Sequence, residues 1–253
     1  PYTFDDAQPA DLMIDAVCVH MHQHNIKTVA FIGYNDAWGE QVWNSLKAGA
    51  AKYGFKIVAD ERYARTDTTV TAQTLKAMSV HPQAVMCGGS GTPGALPNIA
   101  LNQRGYKGQI YNSHAVVSPA YIRVGGKWVE GCIAPTGPLV VYDQLPASNP
   151  IKKVATEFAA AYQKKFGPGV SAFAGYSEDA YLLIANASPE ALKKAQPGTP
   201  EFRQAIRDGL EATHELVGVE GVYDMTPTDH HGVDDRARVL VQVQKGAWRL
   251  IPT

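Results

Sequence analysis

Lys27-Thr-Val-Ala-Phe-Ile-Gly-Tyr34, followed at once by Asn35-Asp-Ala-Trp-Gly-Glu40, decides how the rest of the chain is read. The first run is short and almost wholly apolar, which suits a parallel strand buried on both faces rather than a half-exposed one. Upstream, Asp11 to His24 carries Leu12, Ile14, Val17, Cys18 and Met21 at helical intervals. Downstream, Trp38 to Tyr53 puts Val42, Leu46 and Ala50 on one face, and Gly54 follows as a left-handed cap would. Strand signals recur at Lys56 to Tyr63, Ala84 to Gly89 and Gln109 to His114, with helical segments at Thr69 to Val80 and Pro93 to Arg104 between them. Strand, helix and strand in repetition, joined by short links, predict an α/β fold with an open parallel sheet covered on both faces.

The pattern changes at Thr136-Gly-Pro-Leu-Val-Val-Tyr-Asp-Gln-Leu-Pro146, where two prolines and a glycine punctuate what reads as an extended crossover between lobes. Beyond it come helical segments at Pro150 to Phe166, Tyr176 to Ala195 and Thr199 to Thr213, the last opened by a good N-cap and a proline. Strand signals return at Gly221 to Tyr223, Arg238 to Val243 and Ala247 to Ile251, with Lys245-Gly246 marking a hairpin turn. The helical stretch presents apolar faces (Val154, Phe158 and Tyr162; Ala180, Leu183 and Ile184; Phe202, Ile206 and Leu210) with no sheet of its own to bury them. The economical reading is that they cover a sheet formed by residues outside this sequence. The expected division is residues 1–138 as one α/β lobe, 139–218 as the helical part of the other, and 219–253 as the return to the first.

Composition limits what such a chain can do. Its 253 residues allow one large domain or two ordinary ones, and 45% apolar with 19% charged residues is ordinary globular composition. A net charge of −1 offers no field for phosphate backbones, so nucleic acid is not an expected partner. No apolar run has the length of a membrane-spanning helix. Cys18, Cys87 and Cys132 are an odd number at long spacings and read as apolar fillers. His20, His22 and His24 do not share a helix face, and Asp229-His230-His231 reads as a solvated loop, so neither predicts a metal site. No nucleophile elbow, P-loop, dinucleotide fingerprint or zinc-protease motif occurs, and no cofactor or catalytic group is expected.

In an open parallel sheet, ligands lie beyond the carboxyl ends of the strands. That rule selects Tyr34, Asp36 and Trp38 after the first strand, Ser90, Gly91 and Thr92 after the third, and His114 after the fourth. The glycines at 88, 89 and 91 let backbone approach a ligand, and the helix that follows would aim its N–H groups at an anion. Trp38 offers a flat apolar wall and His114 a hydrogen-bonding ring.

Val29-Ala-Phe-Ile-Gly-Tyr-Asn-Asp-Ala-Trp-Gly-Glu40, Ala51-Lys-Tyr-Gly-Phe-Lys-Ile-Val58, Thr66-Asp-Thr-Thr69, Gln83-Ala-Val-Met-Cys-Gly-Gly89, Gly125-Gly-Lys-Trp-Val-Glu-Gly131 and Ser177-Glu-Asp-Ala-Tyr181 together carry a likeness. They resemble the type I periplasmic substrate-binding proteins of branched-chain amino-acid ABC transporters, over nearly the whole chain. The resemblance implies two doubly wound lobes joined by three hinge crossovers, a ligand clamped between them, and delivery to a transporter permease without chemistry. It places crossovers near Tyr2 to Phe4, Gly137 to Asp143 and Gly218 to Val222, and puts the N-terminal part of one lobe, with the main contacts to the ligand carboxylate, outside this sequence. On that basis these residues alone are expected to bind ligand poorly.

Carried over by position, the resemblance makes Trp38 the ligand-facing aromatic, adds Ser90, Gly91, Thr92 and Tyr176 to the lining, and sets His114 where the family has an acidic residue for an amino-acid ammonium. Histidine cannot replace a carboxylate as counter-ion, so an aromatic or keto acid fits better than an aliphatic amino acid. The expected protein is a monomeric, periplasmic or membrane-anchored binding component. A ligand-sensing regulator on the same fold is the alternative, and an enzyme would need a nucleophile or cofactor loop that the sequence does not contain.

Overall fold

The computed structural model describes residues 2–252. In chain order its elements are α1 (Ala10–Gln23), β1 (Thr28–Tyr34), α2 (Ala37–Tyr53), β2 (Lys56–Tyr63), α3 (Thr71–Ser79), β3 (Ala84–Gly88), α4 (Ala95–Gln103), β4 (Gln109–Asn112), α5 (Pro119–Gly125) and β5 (Ile133–Thr136). There follow α6 (Ile151–Phe166), α7 (Ala172–Lys194), α8 (Pro200–Glu211), β6 (Leu216–Val217), β7 (Val222–Tyr223), β8 (Val239–Gln244) and β9 (Ala247–Ile251). The chain divides into two compact units. A sheet unit comprises Ala10–Thr136 and the segment beginning at Val239; a helical unit comprises Gly137–Arg238 and the segment ending at Pro9.

In the sheet unit the strand order among the described residues is β2-β1-β3-β4-β5-β8-β9. The pairs from β2 to β5 are parallel, and β8 and β9 add an antiparallel edge. β1 is buried from Val29 to Tyr34, as its unbroken apolar run requires. Its Phe31 lies in a cluster with Ile14, Val17 and Met21 of α1, Val42 and Leu46 of α2, Met86, Tyr111 and Leu240. α2 is closed by Gly54, whose φ of 74° frees its N–H to reach the Ala50 carbonyl at 3.0 Å. Lys245 and Gly246, both at positive φ, make the tight turn that brings β9 back on β8.

The helical unit holds, among the described residues, α6, α7 and α8 with the short antiparallel pair β6–β7. Thr199 caps α8 by accepting from the Phe202 N–H at 3.1 Å, with Pro200 at the first helical position. α7 starts at Ala172, earlier than the expected Tyr176, with Ser171 at its N-cap.

Four local features differ from the sequence expectation. α5 and β5 were not expected, and the segment after Thr136 is not extended: Pro138–Val141 is a 3-10 turn. Leu139 in that turn joins a cluster with Ile151, Ala155, Ala159, Val219 and Val222, and this burial curls the segment inward. The chain returns to the sheet unit at Val239 rather than at 219. Tyr223 and Met225 pack with Leu183, Ala187 and Leu210. The segment ending at Pro9 also belongs to the helical unit, not to the lobe of residues 1–138, because the Gln8 side chain donates to the carbonyls of Glu220 and Ala237.

Candidate functional site

Tyr34, Asp36, Trp38, Ser90, Gly91, Thr92 and His114 all belong to the sheet unit, at or just beyond the carboxyl ends of β1, β3 and β4. Asp36 is the N-cap of α2, its Oδ1 accepting from the Gly39 N–H at 3.0 Å. Gly39 must be glycine: a Cβ there would stand 1.9 Å from the Tyr34 carbonyl oxygen, so the helix can seat against the strand end only without a side chain. One residue into the helix, Trp38 is half-buried on the core, and its Nε1 donates to the Gly89 carbonyl at 3.2 Å. The loop after β4 sets the His114 ring edge-on to the indole, with centroids 5.2 Å apart. Ser113 anchors that loop, its hydroxyl donating to the same Gly89 carbonyl at 2.6 Å.

Several groups that looked available for a ligand are committed within the fold. The Tyr34 hydroxyl donates to the Ser90 carbonyl at 2.8 Å. The Gly91 N–H donates to the Ala115 carbonyl at 2.8 Å, with Gly91 at a φ of 57°. The Gly94 N–H turns back on Ser90 and Gly91. α4 therefore does not open directly after the loop; a 3-10 turn at Thr92–Gly94 precedes it and spends the Gly94 N–H group expected to face an anion.

Next to Trp38 and Ser90 the charged and titratable groups are Asp36, His114 and Arg65, and the sequence reading did not select the arginine. Arg65, in the loop after β2, donates from Nε to Asp36 and from Nη1 to the Ser90 hydroxyl at 2.9 Å, and its guanidinium lies 4.5 Å from the Tyr34 ring centre. Burial works against the charge of Asp36, but the Gly39 N–H and the Arg65 guanidinium outweigh it and hold the carboxyl below its ordinary value. Burial lowers His114 to about 4, so the ring is neutral at pH 7. Its Nδ1 is enclosed and without a hydrogen-bond partner among the described residues. The strand-end rule that selected Asp36 and Ser90 applies equally to the loop after β2, and that was the available signal for Arg65.

Tyr176 belongs to the helical unit, on α7, where its hydroxyl donates to Gln8 Oε1 at 2.9 Å. Around it lies a buried acid cluster with no counterpart in the sequence reading. Asp179 accepts from the N–H groups of Val219 and Glu220 at 2.6 and 2.8 Å and from the Tyr223 hydroxyl at 2.8 Å. Burial still outweighs these donors and raises its carboxyl to about 6. Glu220 is wholly buried, with Oε1 unpartnered among the described residues, and burial followed by the charge of Asp179 lifts it well above its ordinary range. No group of three or more His, Cys, Asp or Glu side chains able to hold a metal occurs among the described residues, and no helix among them is long and apolar enough to cross a membrane.

A mostly parallel sheet with its candidate site at the carboxyl ends of the strands defines an α/β protein of the kind that binds small ligands at that edge. The sequence pattern of the periplasmic binding protein family matches residues 1–247, and the chain belongs to that family. It is 42% identical to Rp1789 of Rhodopseudomonas palustris strain CGA009, with a TM-score of 0.95 over 98% of this chain and 70% of that one. It is equally 42% identical to an extracellular ligand-binding receptor from Rhodopseudomonas palustris HaA2, with a TM-score of 0.94 over 98% of this chain and 70% of the other. A putative branched-chain amino acid ABC transporter protein from Rhodospirillum rubrum shares the fold at 24% identity and a TM-score of 0.76, over 96% of this chain and 66% of that one. None of the curated proteins matches the chain.

Proposed function

We propose that the protein is an extracytoplasmic solute-binding component of an ABC importer, periplasmic or membrane-anchored. In this reading it works as a monomer, hands a small organic acid to a transporter permease and releases it unaltered. An aromatic or keto acid is the favoured ligand, ahead of a branched-chain amino acid. In the sheet unit the ligand-facing residues of this reading are Trp38, Ser90, Gly91, Thr92 and His114, backed by Tyr34 and Asp36; in the helical unit the candidate is Tyr176.

The observation that carries the ligand class is the neutral His114 ring set against Trp38, at the position where the family resemblance implies an acid. A neutral imidazole donates or accepts one hydrogen bond at each nitrogen but does not neutralise an ammonium. The indole supplies apolar contact: an aromatic ring removing about 150 Å² from water gains roughly 4 kcal/mol, half of the roughly 8 kcal/mol that micromolar binding needs. The other half is assigned to polar contacts. Importer membership is supported by the likeness to the Rhodospirillum rubrum protein, which speaks through the fold alone.

The description of the Rhodopseudomonas palustris relative as an extracellular ligand-binding receptor favours a second reading, a ligand-sensing domain that takes the same acid and signals without a permease. A thermal-shift screen of the full-length protein against aromatic acids, keto acids and branched-chain amino acids tests the ligand class. The acids are expected to raise the melting temperature in a concentration-dependent way and the amino acids to leave it unchanged. The reverse ranking would contradict the reading.

A further inference from the structure

The acids that line the carboxyl edge of β1 and β2 are already spoken for. Asp36 is held by Arg65 and by the Gly39 N–H. Glu40 pairs with Arg62 at 2.8 Å, and Arg62 is also bound to Asp60. Asp67 accepts from the Ala64 N–H at 2.8 Å. Across the edge, His114 is neutral. Among the described residues, Asp36 and Glu40 at this edge are each paired with an arginine and Asp67 with a backbone N–H, so an ammonium arriving here meets the guanidinium of Arg65 beside carboxylates that already have partners.

Arg65 differs from its neighbour Arg62 in what it leaves over. Its Nε is fixed by Asp36, one Nη1 donor by the Ser90 hydroxyl, and its plane by the Tyr34 ring, while its Nη2 has no partner among the described residues. The side chain is half-exposed, so those remaining donors stay accessible. It is tied to Ser90, whose neighbour Gly89 receives the Trp38 indole N–H, so the guanidinium and the indole flank the same turn. A fork fixed at one side and open at the other is preorganised to meet an oxygen acceptor, and the cost of ordering it has been met before ligand arrives.

We propose that Arg65 is a specificity-determining residue of the sheet-unit site: its open guanidinium donors receive a carbonyl or carboxylate oxygen of an organic acid, and its charge disfavours an amino-acid ammonium. The inference rests on reading this edge as an organic-acid site, and it names the group that enforces the choice. It commits the ligand to an oxo or hydroxy acid carrying an acceptor next to its carboxylate, rather than to any acid with an aromatic ring.

Calorimetric titration of the full-length protein with phenylpyruvate and with L-phenylalanine separates the two ideas, because the probes share the benzyl group and the carboxylate and differ at Cα, a planar carbon with a keto oxygen in one and a tetrahedral carbon with an ammonium in the other. Wild type is expected to prefer phenylpyruvate. Arg65→Gln is expected to weaken phenylpyruvate binding about 10- to 100-fold, the range of a lost charge-assisted hydrogen bond, and to narrow the preference over L-phenylalanine. Arg65→Lys restores the charge without the fork and should recover part of both. Unchanged selectivity in Arg65→Gln, with wild-type preference intact, overturns the role of Arg65 and leaves the organic-acid site standing. A wild type that binds L-phenylalanine at least as tightly as phenylpyruvate, or that binds neither, overturns the site reading and the inference together. Should Arg65→Gln melt below wild type, Arg65→Lys decides alone: loss of selectivity between wild type and the unselective limit supports the role, and wild-type selectivity at altered affinity contradicts it.

Discussion

The sheet unit and the helical unit bury their apolar residues to different degrees. In the sheet unit, helices lie over a sheet that the same residues supply, and Phe31, Met86, Tyr111 and Leu240 are enclosed. In the helical unit, Phe166, Phe173, Tyr181, Ile184 and Leu192 all stand more than half exposed, and an open groove of about 510 Å³ runs between α6 and α7, lined by Val154, Phe158, Tyr162 and Leu182 among others. The inner face of α7 is satisfied, with Leu183 and Ala187 packed on Leu210 and Tyr223. Among the described residues, the sheet unit leaves Leu75, Val80 and Val124 exposed but no large aromatic ring, whereas the helical unit carries a second apolar face, with aromatic rings on it, that its own residues do not cover. Contiguous exposed apolar surface of this kind marks a packing face.

The largest effect expected is in the self-sufficient core. Trp38, Trp43, Trp128 and Trp248 all lie in the sheet unit, so tryptophan fluorescence follows that unit. Phe31→Ala should lower its stability by about 3–5 kcal/mol in a denaturant titration, the usual cost of emptying a buried aromatic site. A loss under about 1 kcal/mol would show that the α1/α2 face is not the core described here.

The two units should also respond oppositely to pH. Asp179 and Glu220 bind protons more tightly folded than unfolded, so their contribution is complete below the unfolded carboxyl range and is lost as pH rises through about 6 and beyond. For Asp179 alone the rise from 3.8 to about 6 amounts to about 3 kcal/mol. Far-UV circular dichroism should therefore show the helical unit weakening as pH rises from about 4 through about 6, the part that belongs to Asp179, with the Glu220 part lost at higher pH. Glu220→Gln, which keeps the shape of the protonated carboxyl, should flatten part of that slope; a wild-type slope in the variant would contradict the buried proton. In the sheet unit His20 and His114 are held neutral, burial being the main cause in both, and both are lowered to about 4. The unfolded chain takes up protons first, so the fluorescence transition should weaken as pH falls from 6.5 toward 4.5. A flat profile there would mean that these rings are charged in the fold.

The smallest effect sharpens the comparison most. Ile184→Ser on the open face of α7 should change the stability of the 253-residue chain by less than about 0.5 kcal/mol, as surface substitutions do. A loss above about 1.5 kcal/mol would show that the face is covered.

Much of the sheet unit could be read from the sequence because its signals are local. The β1 run, Gly54 after α2 and Lys245-Gly246 each carry their own reason. β5 was hidden because Ile133-Ala-Pro-Thr136 is short and holds a proline. That proline is tolerated because β4 and β5 pair only at Tyr111 and Ile133, and Pro135 pairs on the antiparallel side with Leu240. The return at Val239 was misplaced because Gly218 to Tyr223 looks like a strand re-entering the sheet, whereas β7 pairs locally with β6. In the candidate site Trp38, Ser90 and His114 followed from the strand-end rule. Arg65 depends on partners 25 and 29 residues away, and Glu220 sits in a Gly-Val-Glu-Gly run that reads as an exposed turn but is buried. Neither kind of long-range burial or pairing leaves a periodic trace.

Trp38 is the most direct probe of the ligand site proposed at this edge. Titrating the full-length protein with phenylpyruvate while following tryptophan fluorescence, then recovering the ligand for mass analysis, tests binding and chemical inertness together. Saturable quenching that disappears in Trp38→Phe, with the keto acid recovered intact, is the predicted result. Quenching that survives Trp38→Phe, or a recovered ligand of changed mass, would contradict it.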